Sequence, residues 1–378
     1  MMERKSVSRL LPEQSGGNPN AVTYSFSDWM DLLSEQYGTR WTQYRESFAK
    51  TNLASSALSA SQELPSPLTI TLELVNRCNL KCVMCWTDNH SLKKGVLGLK
   101  EIERMLSEFH ETGHQLPAII VGLGSEPLLY KEVKDVITLC KKYGVMDIFF
   151  GTNGVLLDEE MSMFLIEQDV TRLEISLDAA TKETYLAIRS KDKFEIVQSN
   201  IRKFIELRNS LGKKTPVVRL AFVVQDLNVS ERKLFLQQWS GLADYVDFQQ
   251  MSDFSTVTQR LGKSLDYYLF EDESDQEKLD STQKLKEKLE ASNGITGSEL
   301  FCPYPFNSLN VWANGDISPC CCFHGRALTI GNVKDMSLKE AWNGNALSAL
   351  RSEILEGRLN KVCRSCLDRD VRHRDELL

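Results

Sequence analysis

The sequence predicts an α/β protein, a partial (βα)6 barrel followed by a small cysteine-rich domain made of a short β-hairpin and helices. Three observations carry this reading. Strand and helix patterns alternate from residue 68 to 251, a charge-rich stretch interrupts them over 252–296, and six of the ten cysteines fall in the remaining segment, 297–378. Alternating strand and helix patterns mean parallel strands joined by crossover helices. Six such units are too few to close an eight-stranded barrel, so an open one is expected, with its site at the C-terminal strand ends.

The elements follow in order. Residues 1–66 read as an N-terminal helical extension and linker: a polar, turn-rich start around Gly16-Gly17-Asn18-Pro19, a helical stretch over 26–49, and a Ser/Ala/Pro-rich segment over 52–66. Trp41, Tyr44 and Phe48 form an aromatic stripe expected to pack on the main domain. The barrel, 67–251, begins with a strand in which Leu68, Ile70, Leu72 and Leu74 alternate, then a helix near 99–112 with Ile102, Met105, Leu106 and Phe109 on one face. Strands follow at 117–123, 146–151, 171–177, 216–224 and 244–251, with helices at 130–143, 158–168, 181–210 and 230–240. Cys140 falls on the apolar face of its helix with Val133, Val136 and Ile137, a core position. Residues 252–296 read as a solvated connector, and 297–378 holds a hairpin turn at Asn314-Gly315-Asp316 and a helix opened by the capping box Ser337-x-x-Glu340.

Bulk composition narrows the class. A chain of 378 residues, 42% hydrophobic and 26% charged, buries one large core and a smaller second one. A formal net charge of -7 gives no electrostatic reason to expect nucleic acid or an anionic membrane. The polar start Met1-Met2-Glu3-Arg4-Lys5 lacks an apolar signal segment, and no run of about 18 apolar residues occurs, so a cytoplasmic protein without a membrane partner is expected. Ten cysteines without an export signal suggest thiols kept for metals or catalysis rather than disulfides. The five histidines share no metal-ligand spacing.

Cys78, Cys82 and Cys85 crowd three thiols into eight residues on a loop after the first barrel strand, with Trp86 next. Such a loop can wrap one cubane, and three ligands on four irons leave one iron open. This Cys-x3-Cys-x2-Cys-aromatic spacing resembles the signature of the radical S-adenosylmethionine (AdoMet) superfamily. The strand ends add to the resemblance. Gly122-Leu123-Gly124-Ser125-Glu126-Pro127 is similar to the family's Gly-Gly-Glu-Pro element, with Ser125 in place of the second glycine; Gly151-Thr152-Asn153-Gly154, Glu174-Ile175-Ser176-Leu177-Asp178 and Tyr185-Leu186-Ala187-Ile188-Arg189 follow in order. Each stretch alone also reads as a turn, a cap or a salt bridge. The resemblance implies a [4Fe-4S] cluster on Cys78, Cys82 and Cys85, with AdoMet bordered by Trp86, Gly124, Ser125, Glu126, Asn153, Ser176, Asp178 and Arg189. A carboxylate or a backbone carbonyl of the 122–127 element would accept from the AdoMet ammonium, and Arg189 would pair with its carboxylate. Val223 and Val224 would present backbone to adenine, and an ordinary buried strand explains them equally well.

Cys302, Cys320, Cys363 and Cys366 form a second set of four thiols. Together with Asn314-Gly315-Asp316, Gly331-Asn332 and Trp342-Asn343 they resemble the SPASM/twitch auxiliary-cluster domain, in its shorter form with one [4Fe-4S] cluster; four thiolates also suit zinc. Cys321 and Cys322 are surplus, read as small buried hydrophobes with hydrogen donation to a substrate radical as the alternative.

The resemblance implies reductive cleavage of AdoMet to a 5′-deoxyadenosyl radical that abstracts hydrogen from a substrate C–H, with flavodoxin or ferredoxin as reductant. Residues 1–60 look too short and too helical for a leader-peptide module. The expectation is therefore oxidation or epimerisation of a sugar-like small molecule, with maturation of a ribosomally made peptide or protein as the alternative and a metal-bound scaffold as the non-enzyme one.

Overall fold

The chain enters its sheet early. In a computed structural model that describes residues 8–10, 21–53, 66–85, 95–111, 116–122, 124–250, 302–320, 326, 328–358, 360 and 363, two strands come first, Ser8–Leu10 (β1) and Ala21–Ser25 (β2). A helical hairpin follows, Trp29–Tyr37 (α1) and Thr39–Leu53 (α2). Next come Thr69–Leu72 (β3), Leu99–Glu111 (α3), Ala118–Val121 (β4), Val133–Lys142 (α4), Asp147–Thr152 (β5), Glu159–Glu167 (α5) and Arg172–Ser176 (β6). Lys182–Arg189 (α6), Phe194–Ser210 (α7), Val217–Val224 (β7), Arg232–Trp239 (α8) and Tyr245–Gln250 (β8) complete the barrel. The C-terminal unit contributes Tyr304–Asn307 (α9), Ser308–Val311 (β9), Asp316–Ser318 (β10), Gly331–Asn332 (β11), Leu338–Asn343 (α10) and Asn345–Leu355 (α11).

Strands β3 to β8 are neighbours in sequence order and all parallel, the open barrel the alternation predicts. The sheet is larger than expected, with eleven strands among the described residues, in the order β1-β2-β8-β7-β6-β5-β4-β3-β9-β10-β11. Two readings are corrected here. The N-terminal segment is not only helical, since β2 pairs antiparallel with β8 and β1 with β2. The C-terminal unit does not stand apart either, because β9 pairs parallel with β3, Thr71 beside Asn310. Both pairings join segments far apart in sequence, and a five- or four-residue strand carries no local sign of a partner that distant. The proposed connector, 252–296, lies outside the described residues.

Burial follows the two-residue alternation of the strands. Ile70 and Leu72, Ile119 and Val121, Ile148 and Phe150, Leu173 and Ile175, Val218, Leu220 and Phe222, and Leu309 and Val311 share one core, none more than 2% exposed. Helices α3 and α4 cover this face with Ile102, Met105, Leu106 and Phe109, and with Val133, Val136, Ile137 and Cys140. Each such side chain removed from water contributes about 1.5–3 kcal/mol. The other strand residues point to the opposite, inner face. Its N-terminal end is plugged by Trp29, Leu33, Trp41 and Tyr44, which pack on Ala118, Met146, Val217 and Tyr245; Trp29 stacks on Tyr245 with centroids 4.7 Å apart. The aromatic stripe therefore packs on the barrel, as expected. With that end closed, the inner face is approached from the C-terminal strand ends. Among the described residues, no helix is long and apolar enough to cross a membrane.

Candidate active site

The loop after β3 is held by the chain's own hydrogen bonds. Val83 N–H donates to the Ile188 carbonyl at 2.9 Å and Lys81 N–H to that of Arg189 at 3.5 Å, so the unsatisfied carbonyls at the end of α6 anchor the loop. Lys191 Nζ adds a 2.6 Å bond to the Asn79 carbonyl. Donors then aim at the sulfurs. Leu80 N–H lies 3.5 Å and Asn153 Nδ2 3.7 Å from Cys78 Sγ, and Arg189 Nη1 lies 3.4 Å from Cys82 Sγ. Burial pushes the Cys78 thiol up to about 11 against the Leu80 N–H, and it raises Cys82 against the pull of Arg189. Metal binding must displace those protons.

Strand ends close in around the loop. Gly122 has φ of 112°, and a Cβ there would lie 2.2 Å from the Gly151 carbonyl oxygen, so only glycine allows β4 and β5 to approach this closely. Gly124 has φ of 65°. Gly124, Ser125 and Ser176 are all partly exposed where the sheet ends. Asn153 bridges the cysteine loop and β5: its Nδ2 donates to Asn79 Oδ1 at 2.6 Å while its N–H donates to Glu126 Oε2 at 2.8 Å. Small residues, partly open strand ends and N–H groups directed at two of the three thiols fit an iron–sulfur cluster with AdoMet beside it. Among the described residues, no three His, Cys, Asp or Glu side chains converge on one point as a single ion would need. Thiols around a cubane are spaced by the cluster instead.

Three expected AdoMet contacts have other work in this structure. Glu126 accepts from Thr152 Oγ1 at 2.8 Å and Leu128 N–H at 3.1 Å besides Asn153, and burial raises its pKa against those three donors. It ties the Pro127–Leu129 turn to the end of β5. Arg189 pairs with Asp178, Nη2 to Oδ2, at 2.5 Å; burial opposes its charge, and Asp178, Cys82 and Tyr185 together outweigh that and raise the pKa of the guanidinium. Asp178 itself sits at φ of 60° and accepts from Val223 N–H at 2.7 Å, which occupies the backbone donor offered to adenine. The sequence pattern placed these residues at the site but not in contact with one another. Trp86 lies outside the described residues.

Sequence reasoning missed Glu73 and Gln225. Glu73, just before the cysteine loop, accepts from Ala313 N–H at 3.0 Å and pairs with Arg326 at 2.6 Å, so it joins the barrel to the C-terminal unit. Gln225 Nε2 lies 3.8 Å from Met84 Sδ in the cysteine loop. An acidic residue inside an otherwise apolar strand was the available signal for Glu73.

In the C-terminal unit the hairpin turns at Asn314-Gly315 as expected, Gly315 at φ of 91° and Asp316 N–H on Asn314 Oδ1 at 3.2 Å. Cys302 precedes α9, Cys320 follows β10, and Cys363 accepts from Asn360 Nδ2 at 3.4 Å. Cys302 and Cys363 both pack against the main core. Cys321, Cys322 and Cys366 lie outside the described residues.

Comparison with known proteins follows the same division. The family model of the Radical SAM superfamily matches residues 72–234, and that of an iron–sulfur cluster-binding domain, SPASM, matches 302–367. The chain is 24% identical over 324 residues to a tungsten-containing aldehyde ferredoxin oxidoreductase cofactor-modifying protein of Pyrococcus furiosus, 79% of this chain and 87% of that one. It is 26% identical over 202 residues to the mycofactocin maturase of Mycobacterium tuberculosis, 53% of this chain and 44% of the relative. It also spans 45% of a probable GTP 3′,8-cyclase of Methanothermobacter thermautotrophicus, 30% identical over 140 residues. The chain therefore covers less than half of two of these three relatives. The crystal structure of Streptococcus suis SuiB bound to precursor peptide SuiA is similar in fold, with a TM-score of 0.56 at 16% identity over 82% of this chain and 70% of that one.

Proposed function

Because the chain carries a radical SAM domain followed by a C-terminal SPASM domain, we propose that it is an AdoMet-dependent enzyme that modifies a residue within a peptide or protein. Cys78, Cys82 and Cys85 would hold the catalytic cluster, and Cys302, Cys320, Cys363 and Cys366 an auxiliary one. When bound, the cluster and AdoMet supply hydrogen abstraction from an unactivated C–H bond, and the auxiliary cluster supplies an electron acceptor. The chain's own residues orient and exclude water. Asn153 and Arg189 set the cysteine loop through their donors on Cys78 and Cys82. The α1–α2 plug closes the far end of the barrel. Part of the same proposal is a division of the chain at 66/67, 251/252 and 296/297, with a flavodoxin or ferredoxin as reductant.

The peptide class replaces the sugar-like substrate as the leading reading for one reason. That preference rested on residues 1–60 being too short and too helical to bind a leader, and β2 removes the second ground, since residues 21–25 form a strand paired with β8. The mycofactocin maturase and the peptide-bound SuiB then tilt the choice towards peptides. The GTP cyclase favours a small molecule over a shorter match.

The test is anaerobic reconstitution with dithionite, AdoMet and peptides encoded beside the gene. The expected result is 5′-deoxyadenosine formation together with a peptide that has lost hydrogen. The Cys82→Ala variant should bind about four fewer irons and form no 5′-deoxyadenosine. Turnover of a neighbouring sugar substrate with every peptide untouched would return the reading to small molecules.

A further inference from the structure

The inner face of the barrel carries a layer of buried charges that the cluster site does not use. Arg219 on β7 sits between carboxylates on the strands to either side: Nη1 meets Glu174 Oε2 of β6 at 2.8 Å, and Nη2 meets Asp247 Oδ2 of β8 at 2.6 Å. The neighbouring cation, Arg172, is taken by Asp147, with Nε on Oδ1 at 3.0 Å and Nη2 on Oδ2. Phe149 lies beneath both guanidiniums, 4.7 and 5.7 Å from its ring centre. Arg45 adds a third cation on the Asp147 side of this cluster, so three cations face three carboxylates. Tyr245 adds no positive charge, and burial pushes its pKa up to about 12.

The open acceptor of the cluster is on Asp247. Its side chain is 4% exposed, yet Oδ1 has no hydrogen-bond partner. A buried carboxylate oxygen without a donor bears the full desolvation penalty, and such a group is expected where a ligand completes it. Glu174, 19% exposed, opens the cluster towards the strand ends, one alternation before Ser176 on the same strand.

We propose that Asp247 and Glu174 bind a primary ammonium group of the substrate on the inner face of the barrel, below the AdoMet site. This rests on the reading of the chain as a radical enzyme and deepens it. A compact ammonium brings three rotatable donors and can fill one open oxygen beside the fork of Arg219; a second guanidinium would need a planar pair of acceptors that Arg219 already occupies. An ammonium can come from a lysine residue of a peptide or from an amino sugar. The chemistry is shared, so the sources are separated by probes.

Calorimetry on the cluster-loaded full chain would use N-acetyl-lysine methylamide, its neutral isostere N-acetyl-norleucine methylamide, and methyl glucosaminide. The lysine probe should bind and the norleucine probe should not. Asp247→Asn should weaken lysine-probe binding about tenfold or more, as loss of a charged hydrogen bond does. It should leave the thermal midpoint nearly unchanged, because the amide oxygen can still accept from Arg219, which also keeps Glu174, while the unpartnered carboxylate oxygen is removed. Glu174→Gln should weaken binding less, and it carries the test alone if Asp247→Asn does not fold. Binding of the glucosaminide but not of the lysine probe keeps the ammonium site and overturns the peptide reading. Equal binding of lysine and norleucine probes, binding by neither cation, or undiminished binding by both variants overturns the site.

Discussion

The two faces of the central sheet are made from the same strands and differ in almost everything else. On the outer face, Leu173 and Ile175 of β6 and Leu220 and Phe222 of β7 are fully buried beneath helices. Alternating with them on the same strands stand Arg172, Glu174 and Arg219, which point inward and pair across strands, Arg172 with Asp147 and Arg219 with both Glu174 and Asp247. The outer face gains stability from every residue it buries. Burying ion pairs gains little net stability, because desolvation offsets much of the Coulomb attraction. A charged layer kept on one side of a sheet whose other side already supplies a core is explained by what it binds or excludes.

The largest effect that tests this contrast should come from the outer face. Phe150 is fully buried on β5, and Phe150→Ala should cost about 3–5 kcal/mol in urea denaturation, transfer loss plus cavity. A loss below about 1 kcal/mol would show that the helices collapse onto the gap and that this face is less tightly packed than its burial indicates.

The inner face should respond differently to single and paired changes. Asp147→Leu strands the Arg172 guanidinium beside Phe149 and should cost about 3 kcal/mol. Adding Arg172→Met should recover stability to within about 1 kcal/mol of the parent, since an apolar pair of similar volume replaces the ions. Failure of the double variant to recover would mean that the charges hold the sheet together, and the contrast between the faces would fall.

The same contrast explains what was legible in the sequence. Outer-face alternation repeats within each strand, so Ile70, Leu72 and Leu74 announce β3 without any partner in view. Cys78, Cys82 and Cys85 were legible for the same reason, being adjacent in sequence. Inner-face pairs are not local. Arg219 finds Glu174 and Asp247 only because the parallel register sets β7 between β6 and β8, and Glu73 finds Arg326 only because β9 docks beside β3. Glu126 was recognised by its motif, but its partners Thr152 and Asn153 reach it from the next strand and were not visible there. Single charged residues amid apolar strands were visible, and reading them as a layer was the step not taken.

The smallest effects belong where the C-terminal unit fastens to the outer helices. Helix α10 begins with the predicted capping box: Ser337 Oγ accepts from Glu340 N–H at 3.0 Å, and Glu340 Oε2 accepts from Ser337 N–H at 2.7 Å. Glu108 of α3 adds a second acceptor, 2.8 Å from Lys339 N–H, so the helix start is held from the barrel as well. Ser337→Ala should cost about 1 kcal/mol, the usual loss for an N-cap hydroxyl, and less if Glu108 takes over the freed donor. The two halves of the box should part company in acid. Backbone donation from Ser337 lowers the Glu340 pKa, so the carboxylate contributes stability that is present above its unfolded value, about 4.3, and is lost as pH falls through the lowered folded value. A hydroxyl does not titrate in that range. In denaturation series from pH 7 down to about pH 3, the destabilisation by Glu340→Gln should therefore shrink towards zero while that of Ser337→Ala persists. A Glu340→Gln difference that stays constant across the series would mean that the carboxylate acts through its shape alone, and that the helix start owes its stability to Ser337 and Glu108.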